Sequence, residues 1–149
     1  MPTKSKSGST GTRKTVRDVM TAKPVCCTPE TTVMEAAHKM RSDDIGDVLV
    51  QDGGSVCIMT DRDIVVRVIA EGRDPASTTL KDVCSTDVAT VSPETPIATA
   101  IGLMRDKAVR RIPVVEDGRA CGIVSLGDLA EREDPKSALA DISAAPPNN

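Results

Sequence analysis

Val33, Ala36, Ala37 and Met40 follow the 3, 4, 7 spacing that lines one face of a helix, with polar residues between them. Two β-rich runs come next, Val48 to Val50 and Val56 to Met59, joined by the glycine turn DGG at 52–54. A second helical run covers Arg62 to Ala70. The same order returns further along. Ile112 to Val115 and Ala120 to Val124 flank the turn EDG at 116–118, and a helix over Leu126 to Arg132 comes after them. Short extended pieces, Pro24 to Thr28 and Val88 to Ser92, precede the first helix of each set. Thr95 before Pro96 reads as an N-cap followed by proline at the first helical position, which puts Thr31 or Thr32 at the matching start. The order β-α-β-β-α therefore occurs twice, and sheets with helices on one face imply an α+β fold.

The duplication is visible in single residues. Asp18-Val19, Pro29-Glu30-Thr31 and the set Ala36, Met40, Arg41 recur 64 residues later as Asp82-Val83, Pro93-Glu94-Thr95 and Ala100, Met104, Arg105. After the glycine turns the offset is 65, so that Ile58, Thr60 and Asp63 match Ile123, Ser125 and Asp128. One residue of loop length explains the slip. The units are a basic tail at 1–14, repeats at 15–73 and 74–133, and a second tail at 134–149.

Composition narrows the chemistry. No Trp, Tyr or Phe occurs in the 149 residues, so the core is built from aliphatic residues, Met and Cys, and a base cannot be stacked on an aromatic ring. The net charge of −3 argues against a nucleic-acid binder. Residues 1–14 hold four basic and no acidic groups, which leaves −7 for the remainder and reads as a solvated, disordered arm. No run of about 18 apolar residues is present to span a membrane, and a cytoplasmic location is expected. Cys26, Cys27, Cys57, Cys84 and Cys121 show no CxxC spacing, and an odd count in a cytosolic chain predicts free thiols. With His38 as the single imidazole, no metal site and no nucleophile and base arrangement is legible.

The stretch SPETPIATAIGLMRDKAVRRIPVVEDGRACGIVSLGDL resembles a CBS domain, and the first half resembles another. The chain is similar to a stand-alone CBS pair, or Bateman module, with two β-α-β-β-α repeats packed as a pseudo-twofold pair. The first copy departs from the pattern, with Leu49 where the second has Pro113 and Cys57 where the second has Gly122. The resemblance implies that the hydroxyl and carboxylate of each [ST]-x-x-D turn hold the ribose of an adenine nucleotide. Those residues are Thr60 with Asp63, and Ser125 with Asp128. An ionised Asp accepts from both hydroxyls of a cis-diol, and the following helix start offers amides to phosphate. Arg110 and Arg111 stand where the family places a phosphate contact; the first repeat has Gly46 and Asp47 there. On charge, the second cleft suits phosphate, while the first needs Arg62 to compensate or takes a less charged ligand. Cys26, Cys27 and Val48 are expected to wall the second cleft.

The resulting expectation is a non-catalytic sensor that requires no cofactor, binds AMP, ADP, ATP or S-adenosylmethionine, and signals to a regulated protein of unknown identity. The alternative is a structural or interaction protein with empty clefts. A homodimer is expected as well, with Ile64, Val68 and Ile69 as candidate contacts, because the helices after the two turns are apolar on more than one face.

Overall fold

The structure, a computed structural model, describes residues 14–84 and 88–133. Except for Lys14, the two tails lie outside the described residues. Helix α1 (Val16–Val19) and strand β1 (Thr21–Ala22) lead into β2 (Cys26–Cys27), α2 (Val33–Asp43), β3 (Asp47–Asp52) and β4 (Ser55–Thr60). Helix α3 (Asp61–Ile64) then continues as a π-helical turn over Val65–Ile69. The second set runs α4 (Leu80–Val83), α5 (Ile97–Lys107), β5 (Arg111–Glu116), β6 (Arg119–Ser125) and α6 (Leu126–Glu133).

The α+β class holds and most expected elements form; the extended piece at Val88 to Ser92 makes only an isolated bridge, Val91 with Val114, and no strand. Thr32 is the N-cap of α2: its hydroxyl accepts from Glu35 N at 3.1 Å while Glu35 Oε1 accepts from Thr32 N at 2.8 Å. At the matching helix the cap lies one residue later than Thr95. Pro96 is the N-cap of α5, and Thr95 instead closes a local turn with Ser92, its hydroxyl accepting from Ser92 N at 3.1 Å. Proline has no side-chain acceptor, so α5 starts without the reciprocal cap of α2.

Two three-stranded sheets result, ordered β2-β3-β4 and β1-β6-β5. The second order contains an exchange. Strand β1 belongs to the first repeat in sequence, yet it pairs antiparallel with β6 of the second, Thr21 opposite Ile123 and Ala22 opposite Gly122. Val16 of α1 lies fully buried in the second core with Ile97, Ile112, Val124 and Leu129. The mirror event is α4 of the second repeat, whose Leu80 and Val83 lie in the first core with Val33, Ala36, Val48 and Met59. Backbone bonds fix both crossings: Val16 N to Thr95 O at 2.9 Å and Leu80 N to Thr31 O at 2.8 Å. Each buried aliphatic side chain contributes roughly 1.5–3 kcal/mol, so neither half closes its core without the other repeat's leading helix.

The hairpins meet along their strands. Gln51 stitches one end, its Nε2 donating to Gly118 O at 2.7 Å and its Oε1 accepting from Ala120 N at 2.9 Å. Asp47 and Arg111 join the other end.

At the two crossings the chain solves one packing problem in two ways. A Cβ on Gly122 would lie 2.7 Å from Met20 Sδ and 2.9 Å from Thr21 O, so glycine is what lets β1 reach β6. Cys57 and Cys84 occupy the equivalent positions in the first half, and they form a disulfide. This corrects the expectation of five free thiols: Cys26, Cys27 and Cys121 are free, and the pair arises because the exchange carries Cys84 onto β4. Gly122→Ala is expected to destabilise the fold by about 1–3 kcal/mol, because Thr21 O is backbone and cannot turn aside. A urea midpoint unchanged from the parent would show that the crossing yields.

Candidate functional site

Both [ST]-x-x-D turns form, each at a strand-to-helix junction. Thr60 Oγ1 accepts from Asp63 N at 3.1 Å while Asp63 Oδ2 accepts from Thr60 N at 3.0 Å. In the second turn Ser125 Oγ accepts from Asp128 N at 3.1 Å and Asp128 Oδ2 accepts from Ser125 N at 3.2 Å. Each pair is a capping box in its own right, so the local geometry is held without a ligand. A backbone bond seats each turn, Asp61 N to Gly46 O at 2.9 Å and Leu126 N to Arg110 O at 2.8 Å.

Each capping box leaves the second carboxylate oxygen unused. Asp63 Oδ1 faces Arg67 Nε at 3.9 Å, and Arg67 Nη1 also donates to Val83 O at 2.9 Å. Asp128 Oδ1 has no protein partner among the described residues, so it retains the acceptor capacity that a diol requires. Sequence reasoning missed Arg67. Its signal was the i, i+4 spacing from Asp63.

Arg110 and Arg111 do not act together. Arg110 precedes β5 and Arg111 opens it, and Arg111 meets Asp47 of the other repeat, Nε to Oδ2 at 3.0 Å. The paired guanidinium cluster expected at the second turn is therefore split, with Arg110 left exposed there. Asp47 does not act as an unopposed carboxylate in the first cleft either. Arg62 is exposed, and its backbone N–H donates to Asp61 Oδ1 at 2.8 Å.

The apolar wall is also altered. Val48, 1% exposed, and Cys27, 6% exposed, lie in the first core and present almost no surface to a ligand. Cys26 is the exposed member of the trio, on β2 in parallel register with Leu49. Burial pushes the thiol pKa of Cys27 up, with Lys39 opposing, so its reactive thiolate is disfavoured.

Among the described residues no three His, Cys, Asp or Glu side chains are grouped to hold a metal, and His38 is exposed on α2. A cavity of about 430 Å³ lies beside the π turn, lined by Val66, Arg67, Glu71, Arg73 and Cys84 among others. It contains none of the four turn residues.

A duplicated helix, hairpin and helix with an [ST]-x-x-D turn at each strand-to-helix junction defines a tandem pair of one domain type. The chain belongs to the CBS domain family, whose model matches residues 16–70 and again 80–134. It is 37% identical over 133 residues to the CBS domain-containing protein YhcV of Bacillus subtilis, covering 86% of this chain and 94% of that one. The crystal structure of Hypoxic Response Protein I with two coordinated zinc ions superposes with a TM-score of 0.72 at 33% identity, over 79% of this chain and 98% of that chain. The CBS domain pair of protein MJ0100, in complex with 5′-methylthioadenosine and S-adenosyl-L-methionine, superposes with a TM-score of 0.72 over 84% and 99% of the two chains; at 23% identity the likeness is one of fold.

Burial raises the carboxyl pKa of Asp47, Asp61 adds to the rise, and Arg111 opposes it. A raised folded pKa means that the carboxyl is protonated, and its burial free of charge cost, below the ordinary carboxylate range. The cost grows as pH rises through the folded value. Arg111→Ala should therefore destabilise the protein by about 1–3 kcal/mol at neutral pH, where it strands an ionised Asp47. The loss should shrink towards about pH 3, below the usual Asp range. Urea unfolding of parent and variant at both pH values checks this, and a pH-independent difference would remove Asp47 from the explanation.

Proposed function

We propose that this chain is a non-catalytic regulatory module that binds an adenosyl ligand at the [ST]-x-x-D turns between its repeats and conveys that binding to a partner protein. The observation that carries the reading is the turn at Ser125 and Asp128: its capping box holds the carboxylate in place while Asp128 Oδ1 remains without a protein partner among the described residues. A ribose cis-diol fits that acceptor. The fold accommodates such compounds, since the MJ0100 pair holds two of them. AMP, ADP, ATP and S-adenosylmethionine are the ligands to test. The acidic surroundings of the first turn, Asp47, Asp61 and Asp63, favour a cationic adenosyl compound there.

A scaffold with empty clefts is the second reading. It is favoured by the same capping boxes, which account for all four turn residues structurally, and by the engagement of Arg111 with Asp47.

Calorimetry and thermal shifts with the four ligands separate the two. A ligand at 100 times its dissociation constant should stabilise the fold by about 2.7 kcal/mol. Asp128→Ala should weaken binding by roughly tenfold or more, the worth of one charge-assisted bond. No response of the parent to any of the four leaves the scaffold reading standing.

The module is further proposed to be a homodimer, through a corrected face. Val68 is fully buried in the first core and Ile64 packs against it, because the stripe of this helix that points inward includes both. Val65 and Ile69, each 57% exposed, and Val66, 43% exposed, form the outward face, uncovered by the described residues. Light scattering should return twice the 15.7 kDa chain mass, and Ile69→Asp with Val65→Asp should return the monomer. A monomeric parent at micromolar concentration would end the proposal.

Among the described residues no helix is long and apolar enough to cross a membrane. A cytoplasmic site is proposed; there, thiol reductants would act against the Cys57–Cys84 bond.

A further inference from the structure

Positions 47 and 111 are the same position of the two repeats, 64 residues apart. Each opens the first strand of its hairpin in register with the hydroxyl residue of its own turn, Asp47 with Thr60 and Arg111 with Ser125. Their side chains meet across the pseudo-twofold boundary at 3.0 Å. A Cβ placed on Gly46 would lie 3.8 Å from Arg111 Nη2 and 3.3 Å from Asp61 Oδ2. The guanidinium of the second repeat thus rests against the first repeat's turn, in a setting made by Asp47 and Asp61.

The two partners are unequally buried, Asp47 with 19% of its side chain exposed and Arg111 with 43%. Arg111 can therefore be reached from solvent, whereas Asp47 depends on it. An anionic ligand group that recruits Arg111 has to share its guanidinium with Asp47, which weakens the hold on a mostly buried carboxylate facing Asp61. Arg111 is the cation that acts on Asp47, while Arg67 donates to Val83 O at 2.9 Å.

We propose that Asp47 is a specificity-determining residue of the adenosyl site, setting it against phosphorylated ligands and in favour of neutral or cationic ones. The inference rests on the adenosyl reading above. A phosphate competes with Asp47 for one guanidinium and is repelled by the carboxylates around it. A sulfonium or ammonium group leaves the ion pair intact and is attracted by the same carboxylates. Glycine at position 46 keeps the approach to this pair clear of a side chain.

The test is calorimetry of the full chain, parent against Asp47→Asn, with AMP, adenosine and S-adenosylmethionine. Asparagine keeps the volume and removes the charge, so AMP affinity should rise about tenfold or more, the worth of freeing one charge-assisted contact. Adenosine should stay within about twofold, since it carries no group for Arg111. Asp47→Ser, which cannot hold Arg111 through an amide oxygen, should show the same AMP gain and guards against a folding artefact in either variant. If adenosine binds the parent and AMP affinity does not rise in the variants, the specificity assignment is overturned and the adenosyl reading stands. A parallel change in adenosine and AMP overturns it as well, since Asp47 would then act through packing. If no adenosyl compound binds parent or variants, the adenosyl reading itself fails and takes this inference with it.

Discussion

Neither half of this molecule owns a complete core. The first sheet is closed by Leu80 and Val83, which precede the second repeat's own helix and hairpin, and the second is closed by Val16 at the start of the first repeat. A chain without an aromatic residue has few large side chains with which to fill a core, so the loss of these aliphatic ones would be severe. The exchange makes the two repeats mutually obligate. It also brings the hairpins together in register, with position 47 against position 111, and so places both turns on one boundary.

Within that exchange the halves have diverged at the crossing. Met20 over Gly122 is a close apolar contact; Cys84 bonded to Cys57 is a covalent one across a sequence separation of 27 residues. A loop of that size loses enough chain entropy for a constraint of roughly 3–4 kcal/mol on the unfolded state. The covalent crossing lies on the side where the departing chain must also serve as a bond acceptor, since Val83 O receives Arg67. The position of the first turn is thereby tied to the segment that starts the second repeat.

Local pattern carried most of the architecture. The 3, 4, 7 stripe gave α2, the glycine turns gave both hairpins, and the 64-residue offset gave the pairing of the halves. The exchange was hidden because leading segments of two similar repeats look equally suited to either core; Val16 and Leu80 occupy the same repeat position. The disulfide was hidden for the same reason, since Cys57 and Cys84 meet only after that swap. The split of Arg110 from Arg111 was hidden differently. Adjacent like charges read as one patch in sequence, but a carboxylate from the other repeat claims one of them. Val48 and Cys27 were placed in a cleft wall for their apolar character, which is equally what a core selects.

The TDRD and SLGD turns show how one motif serves stability and recognition together. A capping box uses one carboxylate oxygen, and a carboxylate has two. Where the second is left open, as at Asp128, the cap becomes a rigid acceptor already oriented by its own backbone bond. At Asp63 a counter-charge stands nearby, Arg67 at 3.9 Å, outside hydrogen-bond range, and the same four-residue pattern is a cap with a neighbouring cation. Both turns carry an arginine four residues after the carboxylate, Arg67 and Arg132; at the first turn it stands 3.9 Å from Asp63 Oδ1, near enough to add charge but too far for a hydrogen bond. A motif can thus keep its fold role as a cap and still have a carboxylate oxygen to offer a ligand.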